Sequence, residues 1–120
     1  MNLKEIQKSV YKNKLEKGFN ITDINKEFCL LYGEVSEAYE SWRKKQDNIG
    51  EELADIAIYL LGLSEILGVD LATEIEKKMK INQDREYQTI DGVLKRISDW
   101  QIRICRGLIR CKIILNFGTH

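Results

Sequence analysis

Apolar residues recur at three- and four-residue spacing through most of the first 86 positions, and that period predicts four helices. Leu3, Ile6 and Val10 share one face of a first helix over residues 3–16, which Gly18 ends. Thr22 or Asp23 caps a second helix, in which Phe28, Leu31, Val35, Ala38, Tyr39 and Trp42 form one stripe. Residues 43–50 form a polar turn. A third helix, from about Glu51 to Leu67, carries Ile56 to Leu63 with apolar side chains around nearly its whole circumference, so it is expected inside a bundle. Gly68 stops it, and Asp70 caps a fourth helix reaching about Glu86.

The fourth helix changes character midway. Leu71 and Ile75 mark its inward stripe, and the same steps of three and four then arrive at Lys78, Asn82 and Arg85. Beyond Tyr87 the periodicity fades: Asp91-Gly92 reads as a turn, and helix and strand both fit parts of residues 100–117. Arg103, Arg106 and Arg110 would share a helical face there, a pattern suited to a membrane surface or partner groove, although packing on the bundle or a neighbouring subunit is the commoner use. The expected architecture is all-α, a four-helix-bundle-like domain over residues 1–88 followed by a basic, apolar extension over 89–120.

Composition narrows the class. The chain has 120 residues, 32% of them charged, and no proline, which suits one mostly helical domain. Nineteen basic residues balance nineteen acidic ones, so no overall field favours a nucleic-acid polymer. The balance is uneven: six basic residues and one acid lie from Lys95 onward, leaving the first 94 residues thirteen basic and eighteen acidic groups. Three cysteines without C-x-x-C spacing suggest neither a disulfide framework nor a zinc knuckle, and the reducing cytoplasm is expected. Cys29 reads as a small core residue. The N-terminus lacks a signal-peptide pattern, and no apolar run is long enough to span a bilayer.

Two acid pairs carry the candidate chemistry. Glu34 and Glu37, then Glu52 and Asp55, are each three residues apart, which puts both carboxylates of a pair on one helix face. Singly, such pairs are common on solvated helices, and the first turn of a helix also welcomes acids through its dipole. Together, at the edge of a bundle, four carboxylates repel one another unless a cation compensates. Oxygen-only ligands select a hard cation, Mg²⁺ with Mn²⁺ as its substitute. With His120 as the only histidine, a di-iron bundle, catalytic zinc, a Ser-His-Asp triad and a Cys-His pair all lack a required residue. No glycine-rich phosphate loop is present.

The arrangement Glu34-x-x-Glu37, a loop, Glu52-x-x-Asp55 and an apolar helix, with Lys78, Asn82 and Arg85 downstream, resembles the MazG-like nucleoside triphosphate pyrophosphohydrolases. Leu30 to Ala38 and Glu51 to Ile56 are similar to that family's two signature blocks, and the likeness covers roughly residues 1–88. The resemblance implies an all-α enzyme that uses Mg²⁺ to hydrolyse a nucleoside triphosphate to monophosphate and pyrophosphate, clearing unwanted nucleotides. It implies that Glu34, Glu37, Glu52 and Asp55 bind metal, that Lys78, Asn82 and Arg85 meet phosphates, and that a homodimer or homotetramer shares the substrate pocket. Gly33 departs from the pattern, since many members carry another Glu there.

On this reading Mg²⁺ neutralises the triphosphate and acidifies a water that attacks the α-phosphorus, with Glu37 the candidate base. Lys78 and Arg85 would stabilise charge on the departing pyrophosphate. Trp42, near the end of the acid-bearing helix, is the candidate for stacking on the base, with a core or dimer-interface role as its alternative. Two competing functions stand beside the hydrolase: a catalytically silent oligomeric module that binds a protein partner, and a sensor that binds nucleotide and metal without turnover.

Overall fold

The computed structural model describes residues 1–97. Four helices come first, α1 (Leu3–Lys17), α2 (Ile24–Arg43), α3 (Ile49–Ile66) and α4 (Leu71–Asp84), followed by strands β1 (Glu86–Ile90) and β2 (Val93–Ile97). The four expected helices are all present. The chain divides into two compact units, Met1–Ile75 and a second beginning at Glu76.

Local chemistry sets the helix ends. Asn2 caps α1 by accepting from the Glu5 amide at 2.9 Å, while its own amide reaches back to the Glu5 carboxylate. Gly18 closes that helix with φ +73°, a left-handed conformation that a residue with a Cβ adopts only at a cost. Asp23, one of the two predicted caps, accepts from the Lys26 amide at 3.1 Å. Asp70 caps α4 through the Thr73 amide and hydroxyl, and those bonds together with Lys4 hold its carboxyl below the usual range.

In the first unit α3 packs against both α1 and α2. Gly62 permits the α1 approach, because a Cβ there would lie 3.0 Å from the Lys14 side chain and 3.5 Å from Val10. Gln7, 4% exposed, ties α1 to the α3–α4 turn: its amide donates to the Glu65 carboxylate and the Val69 carbonyl and accepts from the Leu71 amide. A buried amide with its donors and acceptor satisfied fixes how α1 docks.

The expected apolar interior is only partly realised in this single chain. Of the α2 stripe, Ala38 is buried and Leu31 half-buried, whereas Phe28, Val35, Tyr39 and Trp42 are exposed. The third helix is buried over Leu61 to Ser64, yet Leu53, Ile58 and Leu60 face outward. An all-round apolar helix has more faces than two neighbouring helices can cover. Cys29 is likewise exposed, correcting its expected place in the core.

The second unit holds the one departure from an all-helical reading of the described residues. Helix α4 ends at Asp84, and the antiparallel pair β1–β2 follows, with Ile90 opposite Val93 and Glu86 opposite Ile97. The predicted turn at Asp91-Gly92 joins the strands with φ +52° and +78°, the positive pair that a two-residue hairpin turn requires. The expectations for Arg103, Arg106 and Arg110, and for residues 100–117 generally, lie outside the described residues.

Candidate metal centre

Two helices and the turn between them build the acid site. The three-residue spacing on α2 sets Glu34 and Glu37 side by side, and α3 brings Glu52 to them. Ligand oxygens of these three residues all lie within 4.8 Å of one another. Glu34 and Glu52 are half-buried, Glu37 exposed, and one oxygen each of Glu34 and Glu52 is buried with no hydrogen-bond partner. Asp55 stands outside this triple, one turn further along α3, but close enough to act on Glu34 electrostatically.

Glu52 has a defined support. The Asn48 amide donates to one Glu52 oxygen at 2.9 Å, and the Ser41 hydroxyl, on a residue only 2% exposed, donates to the Asn48 carbonyl oxygen at 2.6 Å. Asn48 sits where a helix cap would, yet it makes no side-chain cap bond, because its amide is turned to this relay. Sequence reading passed over Ser41 and Asn48. The clue available was an Asn at a helix start four residues before an acid, a spacing that brings the two side chains onto one face. Supports of this kind typically contribute 10–100-fold in metal affinity. Asn48→Ala is expected to weaken divalent-ion binding by about that factor while the fold persists, as read by calorimetric titration and circular dichroism.

Electrostatics at the site favour a cation. Burial pushes the Glu34 carboxyl above the usual carboxylate range, and Glu37, Asp55 and Glu52 add to the push. A carboxyl whose pKa is higher in the folded chain contributes stability fully below its unfolded value. That contribution is lost as pH rises through the folded value. The metal-free protein should therefore lose Tm as Glu34 ionises, and a divalent ion should restore it. Below the same titration protons compete with the ion, so affinity is expected to fall by up to about tenfold per pH unit. An affinity flat in pH across the acidic range would contradict this.

The other expected site residues lie elsewhere in the chain. Lys78 and Asn82 are exposed on α4, and Arg85 falls just past its end, where its guanidinium donates to the Asn82 side-chain oxygen at 3.0 Å. All three belong to the second unit. Trp42, 66% exposed, stacks on Tyr39 with ring centroids 6.2 Å apart.

A feature the sequence did not announce adjoins the acids. Lys14 and Glu27 form a buried ion pair at 2.7 Å, with side chains 9% and 1% exposed, and the Lys14 ammonium lies 5.4 Å from the centre of the Tyr59 ring. Burial raises the Tyr59 pKa, and the charges of Glu34, Glu27, Asp55 and Glu37 raise it further.

Comparison with known proteins bears on this arrangement. A model of the MazG-like family matches residues 17–99, which include all three converging carboxylates. The chain belongs to that family. A dATP/dGTP diphosphohydrolase of Salmonella phage PMBT28 is 41% identical to this MazG-like chain over 49 residues. That stretch is 40% of this chain and 17% of the phage protein, so the chain spans about a sixth of its relative's length. Among solved structures, a cyanophage S-2L MazG-like pyrophosphohydrolase, bound to dGDP and three catalytic Mn²⁺ ions per active site, matches with a TM-score of 0.62. At 24% identity, over 82% of this chain and 99% of that one, it supports the MazG-like fold. Among the described residues no single helix is long and apolar enough to cross a membrane.

Proposed function

We propose that this chain hydrolyses a nucleoside triphosphate to the monophosphate and pyrophosphate, with Mg²⁺ as its metal and Mn²⁺ as a substitute. The observation that carries the reading is the convergence of Glu34, Glu37 and Glu52 with a buried, unpartnered oxygen on two of them. Orphaned carboxylate oxygens in a partly dry site are costly unless a cation meets them. An all-oxygen donor set fits a hard divalent ion. The phage relative's name, a dATP/dGTP diphosphohydrolase, supports the substrate class.

Glu34, Glu37, Glu52 and Asp55 would hold the ion, which supplies charge neutralisation for the polyphosphate and acidifies water. Glu37, the exposed member of the triple, would orient the attacking water and take its proton. Ser41 and Asn48 keep Glu52 aimed at the site. Phosphate contact is assigned to Lys78, Asn82 and Arg85 on their sequence pattern and chemistry, Arg85 as a fork and Lys78 as a point charge. The reducing cytoplasm is the proposed compartment, on the cysteine pattern.

Incubation with a panel of nucleoside triphosphates and Mg²⁺ tests the reading. Monophosphate and pyrophosphate are the expected products, with dATP and dGTP first to be tried. Release of single phosphates would contradict the mechanism, and silence across the panel would favour the silent module. Nucleotide and metal binding without product would favour the sensor.

The protein is further proposed to work as a homodimer or homotetramer. Phe28, Val35, Tyr39 and Trp42 leave an apolar stripe on α2, of a kind that monomers rarely expose. Light scattering should give a mass of two or four chains, and Val35→Asp should lower it. A monomer at micromolar concentration would remove this part of the proposal.

A further inference from the structure

The turn between the two acid-bearing helices holds a backbone conformation that its sequence does not favour. Helix α2 ends at Arg43 and α3 begins at Ile49. The Lys45 amide donates to the Trp42 carbonyl at 3.1 Å, and the Gln46 amide to the Ser41 carbonyl at 2.9 Å, the two bonds by which a helix closes on a left-handed residue. That residue is Lys45, with φ +56°. The same two bonds close α1 on Gly18 and α3 on Gly68, with φ +73° and +70°. Glycine suits such a position because a Cβ there crowds the backbone, so Lys45 stands where this chain elsewhere uses glycine.

A side chain kept at a strained position points to a use for it. Its neighbours do not supply one. Arg43 and Lys44 both engage Glu40, at 3.0 and 3.5 Å, whereas exposed Lys45 makes no side-chain hydrogen bond or ion pair among the described residues, although Asp47 lies two residues away. The turn itself belongs to the acid site. Ser41, whose carbonyl takes the Gln46 amide, donates its hydroxyl to Asn48 at 2.6 Å, and Asn48 in turn holds Glu52 at 2.9 Å. Lys45 precedes Asn48 by three residues, at most about 10 Å even along an extended chain. An uncommitted ammonium on a four-carbon stem therefore borders a cluster suited to a cation. Since it does not pair with the acids, the anion it fits is one that arrives with the metal.

We infer that Lys45 is a phosphate-contact residue, which meets the polyphosphate of a metal-bound nucleoside triphosphate. The inference deepens the hydrolase reading and rests on it for the identity of the anion. It adds a cation from the first unit, which carries the acids, to Lys78 and Arg85 of the second. A compact charge on a flexible stem can follow a phosphate from the intact chain to the departing pyrophosphate. The strained backbone is what places that charge where glycine would be more stable.

Inorganic tripolyphosphate tests it, because it carries the anion without a base. The full-length protein is titrated by calorimetry with Mg²⁺ alone, then with tripolyphosphate in saturating Mg²⁺, beside a thermal melt. Lys45→Gly should raise Tm by about 2–4 °C, since the left-handed residue no longer carries a Cβ. It should also weaken tripolyphosphate binding by about tenfold, the value of a hydrogen bond to a charged group. Lys45→Asn tolerates the left-handed region without a charge and should lose binding in the same way. Lys45→Arg keeps both charge and strain and should stay near the parent. Mg²⁺ affinity should be unchanged in all three. A fall in Mg²⁺ affinity would mean that Lys45 acts through the turn on Glu52, and a fall in Tm for Lys45→Gly would mean that the side chain serves the fold; either overturns the inference. So would tripolyphosphate binding that survives in Lys45→Gly and Lys45→Asn, or that is absent from the parent. Release of pyrophosphate from a nucleoside triphosphate alongside any of those results leaves the hydrolase standing and removes only Lys45. Charge-dependent tripolyphosphate binding without hydrolysis would do the reverse.

Discussion

Glu52→Gln is expected to abolish turnover while leaving the metal-free protein at least as stable as it was. The substitution keeps the shape of the side chain and its acceptor for Asn48, whose amide now donates to Glu52 at 2.9 Å. What disappears is one negative charge beside Glu34 and Glu37. Since even outer supports of a metal ligand are worth 10–100-fold in affinity or activity, loss of the ligand charge itself should cost on the order of 10²-fold or more. Stability moves the other way, because Glu52 is one of the groups that disfavour ionised Glu34, and removing a like charge relieves that strain. Steady-state hydrolysis and a thermal melt in a chelator read the two halves. Activity near that of the parent would mean that the acids of α2 and α3 do not form the metal site. A large fall in Tm would mean that Glu52 holds the fold.

The second large effect is on folding. Lys14→Met alone strands the Glu27 carboxylate, which is 1% exposed and keeps only the Asn20 amide as donor. Breaking one side of a buried ion pair typically costs about 3–5 kcal/mol, because the remaining charge has lost its compensation without regaining water. In a domain of this size that corresponds to a Tm drop on the order of 10 °C or more. Pairing the change with Glu27→Met should recover most of the loss, a strongly non-additive result that marks direct coupling. Chemical denaturation of the two single variants and the double variant closes the cycle. Additive losses would show that Lys14 acts mainly through its stem, which packs on Gly62, rather than through its charge.

Both effects involve residues that meet across helices, and this separates what was legible along the chain from what was not. The ends of α1, α2 and α4 could be read directly, since Gly18, Asp23 and Asp70 act on backbone within a few residues of themselves. The same holds for the Asp91-Gly92 turn, whose positive φ angles are a local demand. The strands it joins were not read, because a five-residue strand is stabilised by its partner rather than by its own pattern. Membership of the MazG-like family was legible too, since its acid pairs depend only on helical spacing.

Packing decided the rest. The expectation of α3 as an interior helix, and of one covered stripe on α2, rests on counting apolar faces, but the number of neighbours available to cover them is a tertiary quantity. One chain leaves Trp42, Tyr39 and Leu53 exposed. Nothing in the spacing of Lys14 and Glu27, thirteen residues apart across a loop, marks them as partners. Their pairing arises because Gly62 lets the Lys14 stem lie against α3 while Asn20 anchors the loop to Glu27.

By itself the sequence determined four helices, the stops and caps at Gly18, Asp23 and Asp70, and two pairs of carboxylates, because each depends on residues within one or two turns. Only the tertiary structure decided that Glu34, Glu37 and Glu52 converge, with Asp55 one turn further along α3, and that Ser41 and Asn48 hold Glu52. These depend on the angle and depth at which helices pack, which is set by side chains far apart in the chain.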